Sequence, residues 1–207
     1  MKKIFILIYT CVSVFSYAQE VKKEVPKTSF LKKNYVNFTD FGGLFGKSYM
    51  VLYQNSTNGY TVSPNTHFTF QTYNGVKVYK NLSVGATVGV DWFSNYQIMP
   101  VSLGIRNVFG DIKAKKVRLF TGIDAGYGFM FLNEKISDNQ TITGGLALSP
   151  MVGMMIPTGG NAHFTLSIGY KHNAFKSKIE NTNRDSFYFN ETDYKFNRMA
   201  VRLGFAF

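Results

Sequence analysis

The side chains that could do chemistry here are three histidines and a set of charged residues embedded in otherwise apolar segments. His163 and His172 lie nine residues apart, about 30 Å of extended chain at ~3.3 Å per residue, and the odd spacing turns them to opposite faces of a strand. His67 belongs to a distant segment. A zinc-type site needs three or four ligands around one point, so no metal triad and no cofactor is expected. Cys11 is the sole cysteine and lies inside the apolar N-terminal run, which leaves the rest of the chain without thiol chemistry. The charges are more informative. Asp40, Lys77, Asp91, Arg106, Arg118, Asp124, Lys171, Arg198 and Arg202 stand among aromatic, β-branched and glycine neighbours. Such charges form either a reactive or ion-conducting constellation, or a buried network in which they pair with one another.

The segments that carry them read as strands. The chain holds 20 Phe, 13 Tyr and 19 Gly against only 17% charged residues, a composition that favours strands and turns over helices. Eight segments stand out: 36–46, 66–78, 82–93, 98–109, 117–131, 141–156, 163–174 and 194–207. Each is near or above the ~9–11 residues with which a tilted strand crosses a bilayer. The connections 47–65, 94–97, 132–140 and 175–193 alternate with 79–81, 110–116 and 157–162, and three of the first set are longer than any of the second. Long loops at one end and short turns at the other are the pattern of a transmembrane barrel. Asn74-Gly75 offers a rival parse as a tight hairpin, but it would leave a strand too short to cross, so Gly75 is read as an inward small residue or bulge. Pro150 has no donor and a closed barrel has no edge to hide it, which predicts a bulge or kink there.

Parity then assigns the faces. Apolar residues alone mark the outward face of each strand, such as Phe68 and Phe70, Val88 and Trp92, Leu103 and Ile105, Ile168 and Tyr170, or Leu203 and Phe205. All nine charges listed above fall on the opposite face. A soluble sandwich would show the same parity with its faces exchanged, so other features must separate the two. Large aromatics collect near strand ends, with Phe45, Phe68, Trp92, Phe129 and Phe131 toward one side and Phe109, Phe164, Phe205 and Phe207 toward the other. These read as girdles at two membrane interfaces. The charged face is also crowded with glycine, as a narrow interior requires. The fold expected is all-β, an eight-stranded antiparallel up-and-down transmembrane β-barrel with a plugged polar interior. Closure should bring Asp40 to Arg202, and adjacent strands should bring Arg106 to Asp124.

Residues 1–18 contain two lysines, an apolar run and Ala18 ahead of Gln19, the pattern of a secretory signal peptide. Residues 19–34 are Lys/Glu-rich without a period and read as a flexible leader, and 35–207 as the barrel. The formal charge of +11 is scattered without a dense basic stripe, so no nucleic-acid partner is expected.

Several stretches carry a family resemblance: Ser16-Tyr17-Ala18-Gln19, Leu82-Ser-Val-Gly-Ala-Thr-Val-Gly-Val-Asp-Trp92, Met99-Pro-Val-Ser-Leu-Gly-Ile-Arg106, and the closing Phe205-Ala-Phe207. With these the chain resembles the small porin-like outer-membrane β-barrel proteins of the OmpA/OmpX-like type, in the outer-membrane β-barrel family common in Bacteroidota. The resemblance implies an outer-membrane location at the cell surface with both termini periplasmic, contact with lipid and lipopolysaccharide, and an assembly signal at Phe205 and Phe207 read by the barrel-assembly machinery. The resemblance is nearly silent about activity, and the residues themselves predict no catalysis. The alternative is a lipid A-modifying enzyme, an acyl hydrolase or acyltransferase, with His172 near the outer rim as its base. The serine such a deacylating barrel carries two residues on is here Ala174, and a base without its nucleophile carries little weight. A protein partner is expected at the outer loops, where Tyr49, Tyr53 and Tyr60 face Lys176, Lys178, Arg184 and Tyr188 across the closure of the barrel.

Overall fold

Alternation along each strand builds one closed sheet. The protein is described from a computed structural model over residues 34–54, 57–93, 96–110, 116–130, 140–160, 162–181 and 188–207. The strands are β1 (Tyr35–Gln54), β2 (Thr57–Tyr79), β3 (Leu82–Trp92), β4 (Gln97–Val108), β5 (Arg118–Phe129), β6 (Gln140–Thr143), β7 (Gly145–Pro157), β8 (His163–Asn181) and β9 (Tyr188–Ala206). Neighbours in sequence pair antiparallel, with β6 and β7 following one another along β8 and so sharing one of eight places. Between them sits Gly144, where a side chain would collide with the Gly128 carbonyl and the Tyr127 ring. β1 also pairs with β9, through Phe41↔Leu203 and Gly43↔Val201. The seam finishes with Asn37 N donating to Phe207 O at 2.8 Å and Phe207 N to Asn37 O at 3.1 Å. Closure removes the free edge, so backbone groups along the wall are satisfied within the sheet.

The faces are inverted relative to a soluble protein. Phe41, Phe68, Trp92, Leu103, Ile123, Val152, Ile168 and Phe205 are exposed, and Leu103 reaches 77%. Arg106, Arg198 and Arg202 are each at 1%. Asp40, Asp91, Arg118, Asp124 and Lys171 are likewise buried, while Lys77 is half-buried on the same inward parity. Glycines make the room. A Cβ on Gly122 would stand 2.6 Å from Arg106 Cδ, and Cβ atoms on Gly104 and Gly204 would meet the carboxylates of Asp124 and Asp40.

Two expectations change. Residues 47–65 and 175–193 are for the most part not loops: β1 runs to Gln54, β2 starts at Thr57, β8 runs to Asn181 and β9 starts at Tyr188. The extensions pair with one another, β1 with β9 as far as Tyr53↔Glu191. Pro150 makes no bulge. The β7–β8 ladder lapses between Leu148↔His172 and Met151↔Gly169 and resumes in the same register. Pro100 leaves the same gap between Val88↔Val101 and Asp91↔Ile98. A bulge would turn every residue beyond it to the wrong face, so omitting two rungs is the smaller loss. Gly75 sits inward within a continuous β2, and the register shift of that ladder comes later, between Lys77 and Tyr79. Phe131, Arg184 and residues 1–33, with Cys11, lie outside the described residues.

Gly122→Val should therefore destabilise the barrel by the roughly 1–3 kcal/mol of overpacking, and by more where Arg106 is driven off Asp124. Gly160→Ala, with nothing within 4 Å, should be neutral. Equilibrium urea unfolding in phospholipid vesicles measures both.

Candidate functional site

The inward residues fall into a polar belt between two apolar clusters. In the belt, Arg106 of β4 donates to Asp124 of β5, Nη2 to Oδ2 at 2.7 Å, and Thr87 Oγ1 donates to the other carboxylate oxygen at 2.7 Å. The Arg106 guanidinium lies 4.5 Å from the centre of the Tyr73 ring. Asp91 of β3 is the best-satisfied acid. Its Oδ1 accepts from Lys171 Nζ at 2.7 Å and from Thr69 Oγ1 at 2.6 Å, and its Oδ2 from Asn173 Nδ2 at 2.7 Å. β3 and β8 stand four places apart in a ring of eight. The Lys171–Asp91 pair therefore spans the barrel as a strut.

Closure brings Asp40 and Arg202 near enough for their charges to interact, as expected, but no hydrogen bond or ion pair joins them directly. The register sets Asp40 opposite Gly204 and Arg202 opposite Gly42. Asp40 Oδ1 accepts from Thr165 Oγ1 at 3.0 Å. Arg202 reaches past β8 to β7, where Nη2 donates to Ser149 Oγ at 2.9 Å and Nη1 approaches Met151 Sδ at 3.9 Å. An arginine side chain is long enough to bypass the neighbour that simple adjacency assigns to it. Arg198 donates to the Gly46 carbonyl and lies 5.9 and 5.8 Å from the ring centres of Phe93 and Phe196. Arg118 Nη2 is 2.9 Å from His163 Nε2 and 3.2 Å from Met155 Sδ.

The apolar clusters escaped the sequence reading. At the short-turn end Phe38, Tyr73, Phe120, Met151 and Met155 pack together, with Phe38 and Phe120 ring centres 5.4 Å apart. At the long-hairpin end Leu44, Phe93, Ile98, Met130, Phe175 and Phe196 do so. Phe93 stacks on Phe196 at 4.2 Å and Phe175 on Tyr194 at 4.4 Å, and Tyr96 OH donates to Tyr194 OH at 3.2 Å. The signal was available: Phe38 shares the parity of Asp40, Phe93 that of Asp91, Phe120 that of Asp124, and Phe175 that of Lys171.

The histidines do not converge. His67 is buried with its ring 4.9 Å from that of Phe93, His163 meets Arg118, and His172 faces outward with Nδ1 2.6 Å from Asn197 Oδ1. Among the described residues no three His, Cys, Asp or Glu side chains gather as metal ligands. Of the binding residues expected at the long connections, Tyr49 and Tyr53 take places on β1, Tyr60 on β2 and Tyr188 on β9, with side chains outside the described residues. Lys176 and Lys178 sit on β8, opposite Asp193 and Glu191. Lys176 Nζ reaches Glu191 Oε1 at 3.2 Å and Asp193 Oδ1 at 3.4 Å. The hydrogen bond to Glu191, with the Asp193 charge, holds its ammonium above the usual lysine range.

No protein-family model matches the chain, and none of the curated proteins is a detectable relative. Solved structures do match. The chain is similar to the outer membrane protein OprG from Pseudomonas aeruginosa at 11% identity and a TM-score of 0.63, over 84% of this chain and 94% of that one. Weaker matches are the outer membrane protein AlkL (14% identity, TM-score 0.43, 90% of this chain and 96% of that one) and the attachment invasion locus protein Ail of Yersinia pestis (11%, 0.34, 84% and 99%). With closure, inverted faces and the OprG likeness together, the fold is an eight-stranded closed antiparallel β-barrel of the outer-membrane type.

Proposed function

We propose that this chain is an integral outer-membrane barrel whose interior is plugged, and that recognition falls to the hairpins rising beyond one rim. The single observation that carries the plug is the Lys171–Asp91 strut across the lumen. Eight strands leave room for little more than side chains, and here stacked rings close the long-hairpin end while Phe38, Tyr73 and Phe120 close the other. The location rests on the exposed apolar wall, which only hydrocarbon solvates without penalty. Tyr35 and Phe207 both lie at the short-turn end, so that end is assigned to the periplasm, in keeping with short turns there. On this reading residues 1–18 are the export signal, 19–34 a periplasmic leader, and Phe205 and Phe207 the strand end handed to the assembly machinery. Lys176 and Lys178 stand on the paired hairpins, and with Arg184 and the tyrosines of these segments of the sequence they are the residues offered to a protein partner or to lipopolysaccharide. The lipid A-modifying alternative is not favoured, because Ala174 supplies no nucleophile beside His172.

Membrane fractionation tests the location. The protein should sediment with the outer membrane and migrate differently on detergent gels before and after boiling, since a closed barrel resists unfolding until heated. Recovery from the soluble periplasm would end this reading. In planar bilayers the purified protein should pass no steady ion current, and a conductance typical of an open channel would refute the plug. Shortening both hairpins, residues 50–61 and 178–189, should abolish partner capture while the heat-shifted gel band persists, because membrane crossing depends on the strands below.

A further inference from the structure

On the outer wall at the closure seam, the apolar band stops at a definite row. β8, β9 and β1 set Ile168, Val201 and Gly43 side by side, then Tyr170, Met199 and Phe45. The next row is His172, Asn197 and Lys47, and the one beyond it Ala174, Lys195 and Tyr49. The wall thus turns from apolar to polar between Met199 and Asn197.

Hydrogen bonds at this level orient the polar groups. Tyr170 OH donates to Asn197 Oδ1 at 2.8 Å, and His172 Nδ1 lies 2.6 Å from the same oxygen. An oxygen can only accept, so His172 must carry a proton on Nδ1. The amide is thereby fixed, with both Nδ2 hydrogens available for a further acceptor, and the remaining ring nitrogen of His172 is left for a ligand. Lys195 is exposed and makes no ion pair among the described residues. It stands diagonally from His172, about 7–8 Å away across the pair of strands, and the residue opposite it is the small Ala174. Lys176, one step higher, is already held by Glu191 and Asp193.

We propose that Asn197, His172 and Lys195 form a site on the outer wall of β8 and β9 for the phosphate monoester of a lipid headgroup. The amide and ammonium supply donors, and Tyr170 positions the amide. Position commits the ligand to a lipid, because the acyl chains of a molecule so held would lie along Met199, Val201 and Ile168. This inference rests on the outer-membrane reading, but its test is made on purified protein, so the two can fail separately.

The test is native mass spectrometry of the full chain released from detergent with dioleoyl phosphatidic acid, a phosphate monoester, or dioleoyl phosphatidylglycerol, a diester with the same acyl chains. The monoester should be retained about tenfold better, the size expected of one charge-assisted hydrogen bond. Asn197→Leu and Lys195→Gln should each abolish that preference while keeping the heat-shifted gel band. Lys116→Gln, at the short-turn end, should leave it unchanged. Equal retention of the two lipids, or full monoester preference in Lys195→Gln, would overturn the proposal. Displacement of the lipid by an equal concentration of inorganic phosphate would overturn it too, by showing a site for free anion instead of a headgroup.

Discussion

The width of the lumen constrains everything else in this barrel. A wall facing hydrocarbon cannot hold charge cheaply, so the charges of the strands are turned inward, into a space that eight strands leave barely wide enough for side chains. Bulk and charge then compete for the same volume. Gly122 yields to the Arg106 side chain, Gly104 to Asp124 and Gly204 to Asp40. The charges that fit must also find partners, and they find them around and across the ring, as Arg106 with Asp124 and Lys171 with Asp91.

Such pairs do little for net stability, because desolvation offsets most of their attraction, yet breaking one costs about 3–5 kcal/mol. That asymmetry makes them register keys. Slipping a strand by one residue would put Asp91 or Lys171 into lipid and leave its partner alone inside. The same reasoning explains how Pro100 and Pro150 are tolerated. Each loses rungs of its ladder, but the charges and large apolar residues on either side hold the register through the gap.

Legibility in the sequence follows from which of these effects is local. Period-two alternation is a property of each strand alone, so strand number, faces and inward charges such as Arg202 and Asp124 could be read directly. The Arg106–Asp124 contact was legible because the residues sit on adjacent strands. Asp40 and Arg202 also sit on adjacent strands, but the guanidinium swings over β8 to Ser149, and side-chain reach is not written in spacing. The inward Phe38, Phe93 and Phe175 are hard to read for another reason: in a barrel sequence apolar residues mark the outside, and an apolar residue on the charged parity runs against that rule. The long hairpins were read as loops because beyond the membrane no apolar face enforces alternation. The segment Ser56-Thr-Asn-Gly-Tyr-Thr-Val-Ser63 is polar and turn-rich, yet most of it continues as strand.

Why those strands persist in water is a question of where the seam lies. An isolated two-stranded hairpin is marginal in solution, and three or more strands are needed for independent stability. The two hairpins that extend are β1–β2 and β8–β9, which flank the closure, and β1 pairs with β9 up to Tyr53↔Glu191. With β6 added along β8, the extension is one sheet in the order β2, β1, β9, β8, β6. The hairpin β3–β4 does not join this sheet: its strands end at Trp92 and Gln97, while β2 beside it continues to Thr57. Placing both long hairpins beside the seam is thus what lets them rise as a wall, and it sets that wall directly above the Asn197 row, where the outer face turns from apolar to polar.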